Sequence, residues 1–393
     1  MSAHTQAVGV GTGHCPLMPT YGPPTVMFVR GQGCWLWDRD GNRYLDLLSG
    51  IAVCNLGHAH PRVAEAVAEQ ARTLCHVSNL YATEPQMQVA RALDRLIGGS
   101  PGQVFFANSG AEANECAIKL ARKWGGRGRH TVISAGRSFH GRTLAALAAT
   151  GQPEKHEAFV PLPEGFRHVP WDDITELERA IDGTVAAVLL EPIQGEGGVN
   201  VPSAGYLRAV RELCDERNLL LVLDEVQTGL ARTGRWFAHH HEGVEPDVVT
   251  VAKALGNGMP IGACWARTEV AAAFNPGDHA TTFGGQPLAA SAARATLEVM
   301  EELDLPTMAA RAGQKMQAAL RSLDGVAGVR GRGLLLGVDL AGERLATEVV
   351  AAGMAAGLLL GTAGTTSLRI APPLIIDDAE MDHGIAALDE VLG

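Results

Sequence analysis

Two segments, LLLVLDEVQTG (Leu219–Gly229) and DVVTVAKALGNG (Asp247–Gly258), decide the reading of this chain. Each opens with a short apolar run rich in Val and Leu. Runs of this length, bounded by polar residues, predict strands buried on both faces. Each run ends in polar groups: Asp224, Glu225 and Gln227 in the first, Lys253 in the second. In open α/β sheets, ligands gather at the carboxyl ends of strands. An acid and a lysine are therefore expected to face one crevice from two strands of one sheet.

Working outward, the pattern around these segments is strand–helix alternation. From about Gln86 to Met300, apolar runs such as VAAVLL (Val185–Leu190) alternate with helical periodicity. Such alternation predicts a mainly parallel sheet flanked by helices. Pro61–Leu74 and Gln86–Leu96 carry apolar residues at helical spacing. The N-terminal side differs. Between Val26 and Asp46 the short patterns VMFVR, CWLWD and RYLDL predict strands, and DRDGNR is a hairpin signal. After Gln286 come two helical patterns, short strands near 326–340, a helix over 343–355, strands near Leu358 and Leu368, and a last helix over 377–392. The expected organisation is a large domain over 61–289 and a smaller α+β domain from both ends of the chain, 1–60 and 290–393.

Composition narrows the function classes. The 393 residues are 46% hydrophobic and 19% charged, as in a globular protein. A net charge of −11 disfavours a nucleic-acid surface. The first 20 residues lack a basic start followed by an apolar core, so no export signal is expected. The apolar stretch near Val349–Leu360 is too short to span a bilayer. Seven scattered cysteines without a CxxC fit a reduced, cytoplasmic protein. His239, His240 and His241 are adjacent, so they cannot share one ion from one helix or strand face; a surface or structural role is expected, and no metal site.

Three further motifs carry chemistry. In VFFANSGAEANE (Val104–Glu115) a strand runs into a helix. Ser109 with Glu112 predicts a capping box, and Gly110 allows close approach of the backbone. Free amides at that helix start form an anion site. In SFHGRT (Ser138–Thr143), Phe139 offers a flat face and Arg142 a planar fork suited to a carboxylate. In EPIQGEGGV (Glu191–Val199), Glu196 lies in a glycine-rich loop at a strand end. Taken alone, the first motif reads better as a plain strand–helix turn and the second as a core aromatic with a surface arginine, and the third has a solvated loop acid as its alternative. Together they supply a phosphate cradle, an aromatic face, a carboxylate and a lysine, which a phosphorylated aromatic aldehyde cofactor requires. Neither GxGxxG opening a strand–helix unit nor GxxxxGK[ST] occurs.

From about Tyr21 onward the chain resembles the class III, pyridoxal-phosphate-dependent aminotransferases. The resemblance rests on NSGAEANE (Asn108–Glu115), FHGRT (Phe139–Thr143), EPIQGEGG (Glu191–Gly198), LDEVQTG (Leu223–Gly229), AKALGNGMPIGA (Ala252–Ala263), TTFGG (Thr281–Gly285) and LRIAPPLII (Leu368–Ile376). It implies fold type I and pyridoxal 5'-phosphate as cofactor. It further implies that Lys253 is the Schiff-base lysine and Asp224 the partner of the pyridine nitrogen. Val226 and Phe139 would sandwich the ring, Gln227 would reach its hydroxyl, and Glu225 would join the cofactor-binding group. Gly110 and Ala111 would hold the phosphate, with Thr282 arriving from a neighbouring subunit of a homodimer. Arg142, Thr281 and Tyr21 would meet the amine donor, and Arg369 would bind the carboxylate of glutamate or 2-oxoglutarate, with Glu196 as its alternate partner. The implied donor is N2-acetylornithine. Ornithine, succinylornithine, N-succinyl-diaminopimelate and 4-aminobutyrate are the alternatives, or a non-transaminating enzyme of the same fold. Gln286 replaces an Asn, Ala280 a frequent Gly, and Asn257 interrupts a loop that is often all Gly.

Overall fold

Strands Val185–Leu190 and Leu220–Asp224 are buried along their whole length, and their neighbours explain why. In the computed structural model, which describes residues 17–21 and 24–393, they lie inside a seven-stranded sheet. Its order is Gly102–Ala107, Gly262–Arg267, Val248–Val251, Leu220–Asp224, Val185–Leu190, Thr131–Ala135, Phe166–Val169. Side chains alternate between two apolar layers, as the pleat requires. Leu221 and Leu223 pack with Leu207 and Val210 of helix Tyr206–Arg217. Leu220 and Val222 pack with Ile118 and Leu120 of helix Gly110–Gly125.

The four pairings among Val248–Val251, Leu220–Asp224, Val185–Leu190, Thr131–Ala135 and Phe166–Val169 are parallel. Gly262–Arg267 is the exception, antiparallel to both of its neighbours. It follows Val248–Val251 after only the 252–261 loop, which contains a single 3-10 turn, Lys253–Leu255. A parallel return needs a longer crossover, so the length of this connection favours the reversal. The loop that holds Lys253 is thereby fixed at both ends by adjacent strands.

The predicted N-terminal strands form as Phe28–Gln32, Trp35–Asp38 and Arg43–Asp46. The last of them pairs in parallel with Leu358–Leu359, so the two halves of the chain share a sheet. A third sheet joins Val326–Arg332, Leu335–Leu340, Ser367–Ile370 and Gly361–Thr362. Helix Pro287–Glu302 packs against Pro61–Thr73 and Glu84–Ile97 rather than against these strands. We therefore propose that the smaller unit resumes after this helix, a little later than residue 290.

One local expectation is corrected, and two further positions gain a role. Ser109 does cap its helix by accepting the Glu112 N–H, but the Glu112 carboxylate accepts from the backbone N–H of Asn108 at 2.7 Å, not from Ser109. A reciprocal box forms instead at Asp377 and Glu380. Gln286, the departure from Asn, caps helix Pro287–Glu302 by accepting the Leu288 N–H at 3.0 Å. The three adjacent histidines take the structural one of the two expected roles: His239 Nδ1 donates to the Glu225 carboxylate at 3.0 Å, His240 meets the Ile97 carbonyl at 2.9 Å and His241 the Thr233 carbonyl at 3.1 Å.

Arg232 ties distant segments together. It is fully buried and donates to the carbonyls of Leu334 (3.0 Å) and Pro372 (2.6 Å), to Ser49 Oγ (3.3 Å) and to Asn55. Burial pulls its guanidinium down to about 9. Carbonyl dipoles, not a carboxylate, hold this cation.

Candidate active site

The carboxyl ends of Leu220–Asp224 and Val248–Val251 meet a cavity of about 420 Å³. That volume suits a small cofactor with part of a substrate. Asp224 pairs in register with Thr250, and Lys253 follows two residues past the neighbouring strand. Both line the cavity, with Ser109, Gly110, Ala111, Phe139, Arg142, Val226 and Gln227. The structure thus brings together most of the residues that the sequence singled out.

Asp224 is 4% exposed and bound on three sides. Its Oδ2 accepts from Asn114 Nδ2 (2.7 Å) and His140 Nδ1 (2.9 Å), and Oδ1 accepts the Val226 N–H (3.1 Å). A carboxylate oxygen can accept twice, so Oδ1 retains capacity for one further donor from the cavity. Asn114 is itself fixed, donating to the His140 carbonyl (2.7 Å) and accepting from Thr250 Oγ1 (2.7 Å). His140 must donate from Nδ1, because a carboxylate only accepts. Its Nε2 is buried without a partner among the described residues.

Lys253 adopts φ +42°, a region disfavoured for a residue with a Cβ. Its ammonium is lowered to about 8, first by burial, then by the Arg369 charge, against the pull of Asp224. A lysine in this range is partly neutral near pH 7–8 and can act as a nucleophile or move a proton.

The helix start at Gly110 needs glycine for a packing reason. A Cβ there would stand 2.8 Å from Val226 Cγ1. The bare backbone lets Val226 sit against the helix while the first amides stay turned to the cavity. On the other wall Phe139 is positioned by Glu191, whose carboxylate accepts the N–H groups of Phe139 (3.0 Å) and Gly195 (3.2 Å). Glu191 is raised to about 7, by burial and then by the Asp224 charge, with His140 opposing. Arg142 stacks over Phe139, its Cζ 5.7 Å from the ring centroid.

Arg369 and Glu196 meet. Arg369 Nη1 donates to Glu196 Oε2 at 3.0 Å and to Gln227 Oε1 at 3.4 Å. The arginine is 4% exposed, whereas the glutamate side chain is 38% exposed. The arginine Nε is buried with no partner among the described residues. The cation is buried, and its anion sits at the solvent edge.

These features fit a phosphorylated pyridine aldehyde. The helix-start amides suit the phosphate, Phe139 and Val226 bracket a flat ring, Asp224 Oδ1 has one acceptor site left, and Lys253 is activated.

Other expected members lie elsewhere. The Glu225 carboxylate does not reach the cavity: it is consumed by Thr228 and by the N–H groups of Ala238 and His239, both at 3.0 Å. Thr281 does not line the cavity; its Oγ1 accepts from Asn108 Nδ2 (3.3 Å) and the Gly284 N–H (3.2 Å), closing a turn. Thr282 is exposed and lines a separate cleft with His76 and Tyr81. Tyr21 is 90% exposed and outside the cavity wall. Sequence reasoning missed Asn114, His140 and Glu191. Asn114 had one signal, its position four residues after Gly110 on the same helix face.

A family model described as Aminotransferase class-III matches residues 18–392. Acetylornithine aminotransferase of Corynebacterium efficiens is 51% identical over 385 residues, covering 96% of this chain and 94% of that one. The Methanothermobacter thermautotrophicus protein of the same name is 48% identical over 381 residues, 96% of each. Ornithine aminotransferase of Toxoplasma gondii superposes with a TM-score of 0.91 at 35% identity, covering 96% of this chain and 92% of that one. A further structure of that enzyme is described with pyridoxal phosphate partially occupying its active site.

Proposed function

The chain belongs to the class III aminotransferases, and from that premise we propose that it moves the terminal amine of N2-acetylornithine to 2-oxoglutarate, with pyridoxal 5'-phosphate as cofactor. The products are N-acetylglutamate 5-semialdehyde and glutamate, a step of arginine synthesis. When bound, the cofactor supplies a protonated pyridine ring that accepts the electron pair left at the substrate carbon.

This chain's residues do the rest. Gly110 and Ala111 donate N–H groups to the phosphate. Asp224 Oδ1 accepts from the ring nitrogen and keeps it protonated, with Asn114 and His140 holding the carboxylate in place. Phe139 and Val226 fix the ring plane, and Gln227 reaches its hydroxyl. Lys253 Nζ, brought toward neutrality by burial, would take up the proton from the reacting carbon. Arg142 takes the distal carboxylate of either substrate.

The observation that carries the substrate pair is the Arg369–Glu196 contact at 3.0 Å. Glutamate carries a carboxylate next to its reacting carbon, and acetylornithine reacts at an end that carries none. One pocket serves both only if the arginine there has a removable partner, since an unpaired buried charge is costly. Glu196 is that partner.

We place Thr282 in the phosphate site of a second copy, which makes the active unit a homodimer. Its exposure beside Phe283, away from its own cavity, supports this reading. No helix among the described residues is long and apolar enough to cross a membrane.

Single-turnover measurement of both half-reactions tests the reading. Glu196→Ala slows the acetylornithine half more than the glutamate half, and Arg369→Ala does the reverse. Equal losses in both halves refute the pairing. A donor screen in which ornithine or 4-aminobutyrate outpaces N2-acetylornithine refutes the donor.

A further inference from the structure

Glu196 and Arg369 come from distant parts of the chain, so the loop of the one has to be set over the strand of the other. Arg369 lies on strand Ser367–Ile370. It pairs in register with Gly337, and Gly337 pairs in turn with Arg330 of strand Val326–Arg332. Residues directly opposite one another share a face of the sheet. Arg330, Gly337 and Arg369 therefore stand in one row, an arginine on each side of a glycine.

The Glu196 loop rests on that row. A Cβ on Gly337 would stand 3.0 Å from Val199 Cβ and 3.1 Å from the Gly198 carbonyl oxygen, so the bare glycine lets the loop come down. Val199 is buried there in an apolar cluster with Leu335, Ala363 and Ala371. On one side of the glycine, Arg369 Nη1 reaches Glu196 Oε2 at 3.0 Å. On the other, Arg330 Nε donates to the Gly198 carbonyl at 2.7 Å. Arg330 is itself fixed. Its guanidinium pairs with Asp339 and meets Ser367 Oγ at 3.4 Å, and Ser367 Oγ donates to Asp339 at 2.5 Å. Asp339 and Ser367 are the next pair along the same face.

The larger unit holds the rest of the loop. Gln194 and Asn200 exchange backbone hydrogen bonds, each 3.0 Å long. Glu191 accepts the Gly195 N–H at 3.2 Å, and Arg137 donates to the Gly197 carbonyl at 2.6 Å. The backbone is thus tied on both sides of Glu196, and Arg330 is the tie that comes from the sheet bearing Arg369.

We propose that Arg330 is a positioning residue for substrate choice. With Gly337 as the seat, it holds the Glu196 loop in register with Arg369, and so sets how readily a carboxylate beside the reacting carbon displaces Glu196. The assignment rests on the reading of Glu196 as the removable partner of Arg369. A dicarboxylate enters by replacing one carboxylate with another on Arg369, so its affinity is reduced by whatever the Glu196 contact contributes. Slackening the loop weakens that contact, and the dicarboxylate binds more tightly. The direction is diagnostic. Removing a nearby cation by itself weakens the binding of a dianion, so tighter binding without Arg330 reports the release of Glu196.

The test measures binding of glutarate, a dicarboxylate with no amine to react, to the holoenzyme by titration calorimetry. Glu196→Ala is expected to tighten glutarate about tenfold, and Arg330→Gln about threefold. In the Glu196→Ala background, Arg330→Gln adds no tightening, because the two changes act through one contact. Gly337→Ala, which leaves every charge in place, lifts the loop and also tightens glutarate about threefold. Unchanged or weaker binding in Arg330→Gln, or a gain that persists without Glu196, overturns the positioning role. Should Arg330→Gln fold poorly, Gly337→Ala decides by the same criterion. No gain in Glu196→Ala refutes the removable-partner reading and this proposal with it, whereas a gain there with none in Arg330→Gln or Gly337→Ala refutes this proposal alone.

Discussion

Asp224 and Glu225 are consecutive, both buried, and each is bound to a histidine, His140 and His239 respectively. Yet they serve different ends. Asp224 ends its strand facing the cavity and keeps one acceptor site open. Glu225 points the other way, as the alternation of side chains along a strand end requires, and spends its acceptors on Thr228, Ala238 and His239. Remaining hydrogen-bonding capacity, not residue type or burial, separates a group that can meet a ligand from one that holds a loop.

The sharpest way to break the comparison is to neutralise each acid in turn. Asp224→Asn should fold and bind cofactor but lose about a hundredfold or more in turnover, roughly 3 kcal/mol of barrier. Glu225→Gln should do the opposite. It leaves His239 and two N–H groups with a poorer acceptor, costing about 2–4 kcal/mol of stability, while the folded fraction keeps its specific activity. Thermal melts and active-site titration measure both. A Glu225→Gln protein with normal stability and lost activity would put both acids in the catalytic machinery.

A smaller effect is expected at His140. Its ring donates to Asp224 Oδ2, and Asn114 supports the same oxygen. His140→Gln should therefore cost about tenfold in turnover, less than Asp224→Asn, because one donor remains. Steady-state kinetics with saturating cofactor decides it. A loss equal to that of Asp224→Asn would make the histidine itself essential.

The smallest expected effect is in the pH dependence of stability. Burial raises Glu225, but the bonds to His239, Thr228 and Ala238 outweigh it, so its folded value lies below the ordinary 4.5. Its contribution is present above 4.5 and is lost as pH falls through the lower folded value. Glu191 is shifted the other way, to about 7. Its contribution is present below 4.5 and is lost as pH rises through about 7. In the cofactor-free protein, Glu225→Gln should flatten the acid limb of the melting temperature against pH, and Glu191→Gln the limb between pH 5 and 8. Unchanged limbs in both variants would mean that these shifts are absent.

Much of this was legible beforehand because it is local. Strands Leu220–Asp224 and Val248–Val251 announce themselves as bounded Val/Leu runs, and helix Pro61–Thr73 by its apolar spacing. Asp224 and Lys253 were placed at one crevice because parallel strands present their carboxyl ends together. Asn114 and His140 escaped notice, since an Asn inside a helix and a His after a Phe look like any others until a third residue arrives between them.

Periodicity and strand ends are properties of neighbouring residues, so the elements, the parallel core, the family and the chemistry of the lysine and the acid are readable along the chain. Long-range folding decided which acid faces the cavity, that Gly262–Arg267 runs antiparallel, and that Arg369 rests on Glu196. Most of those outcomes depend on where residues far apart in the chain come to rest. The strand reversal depends on how the 252–261 loop closes, which its length constrains and its pattern does not display.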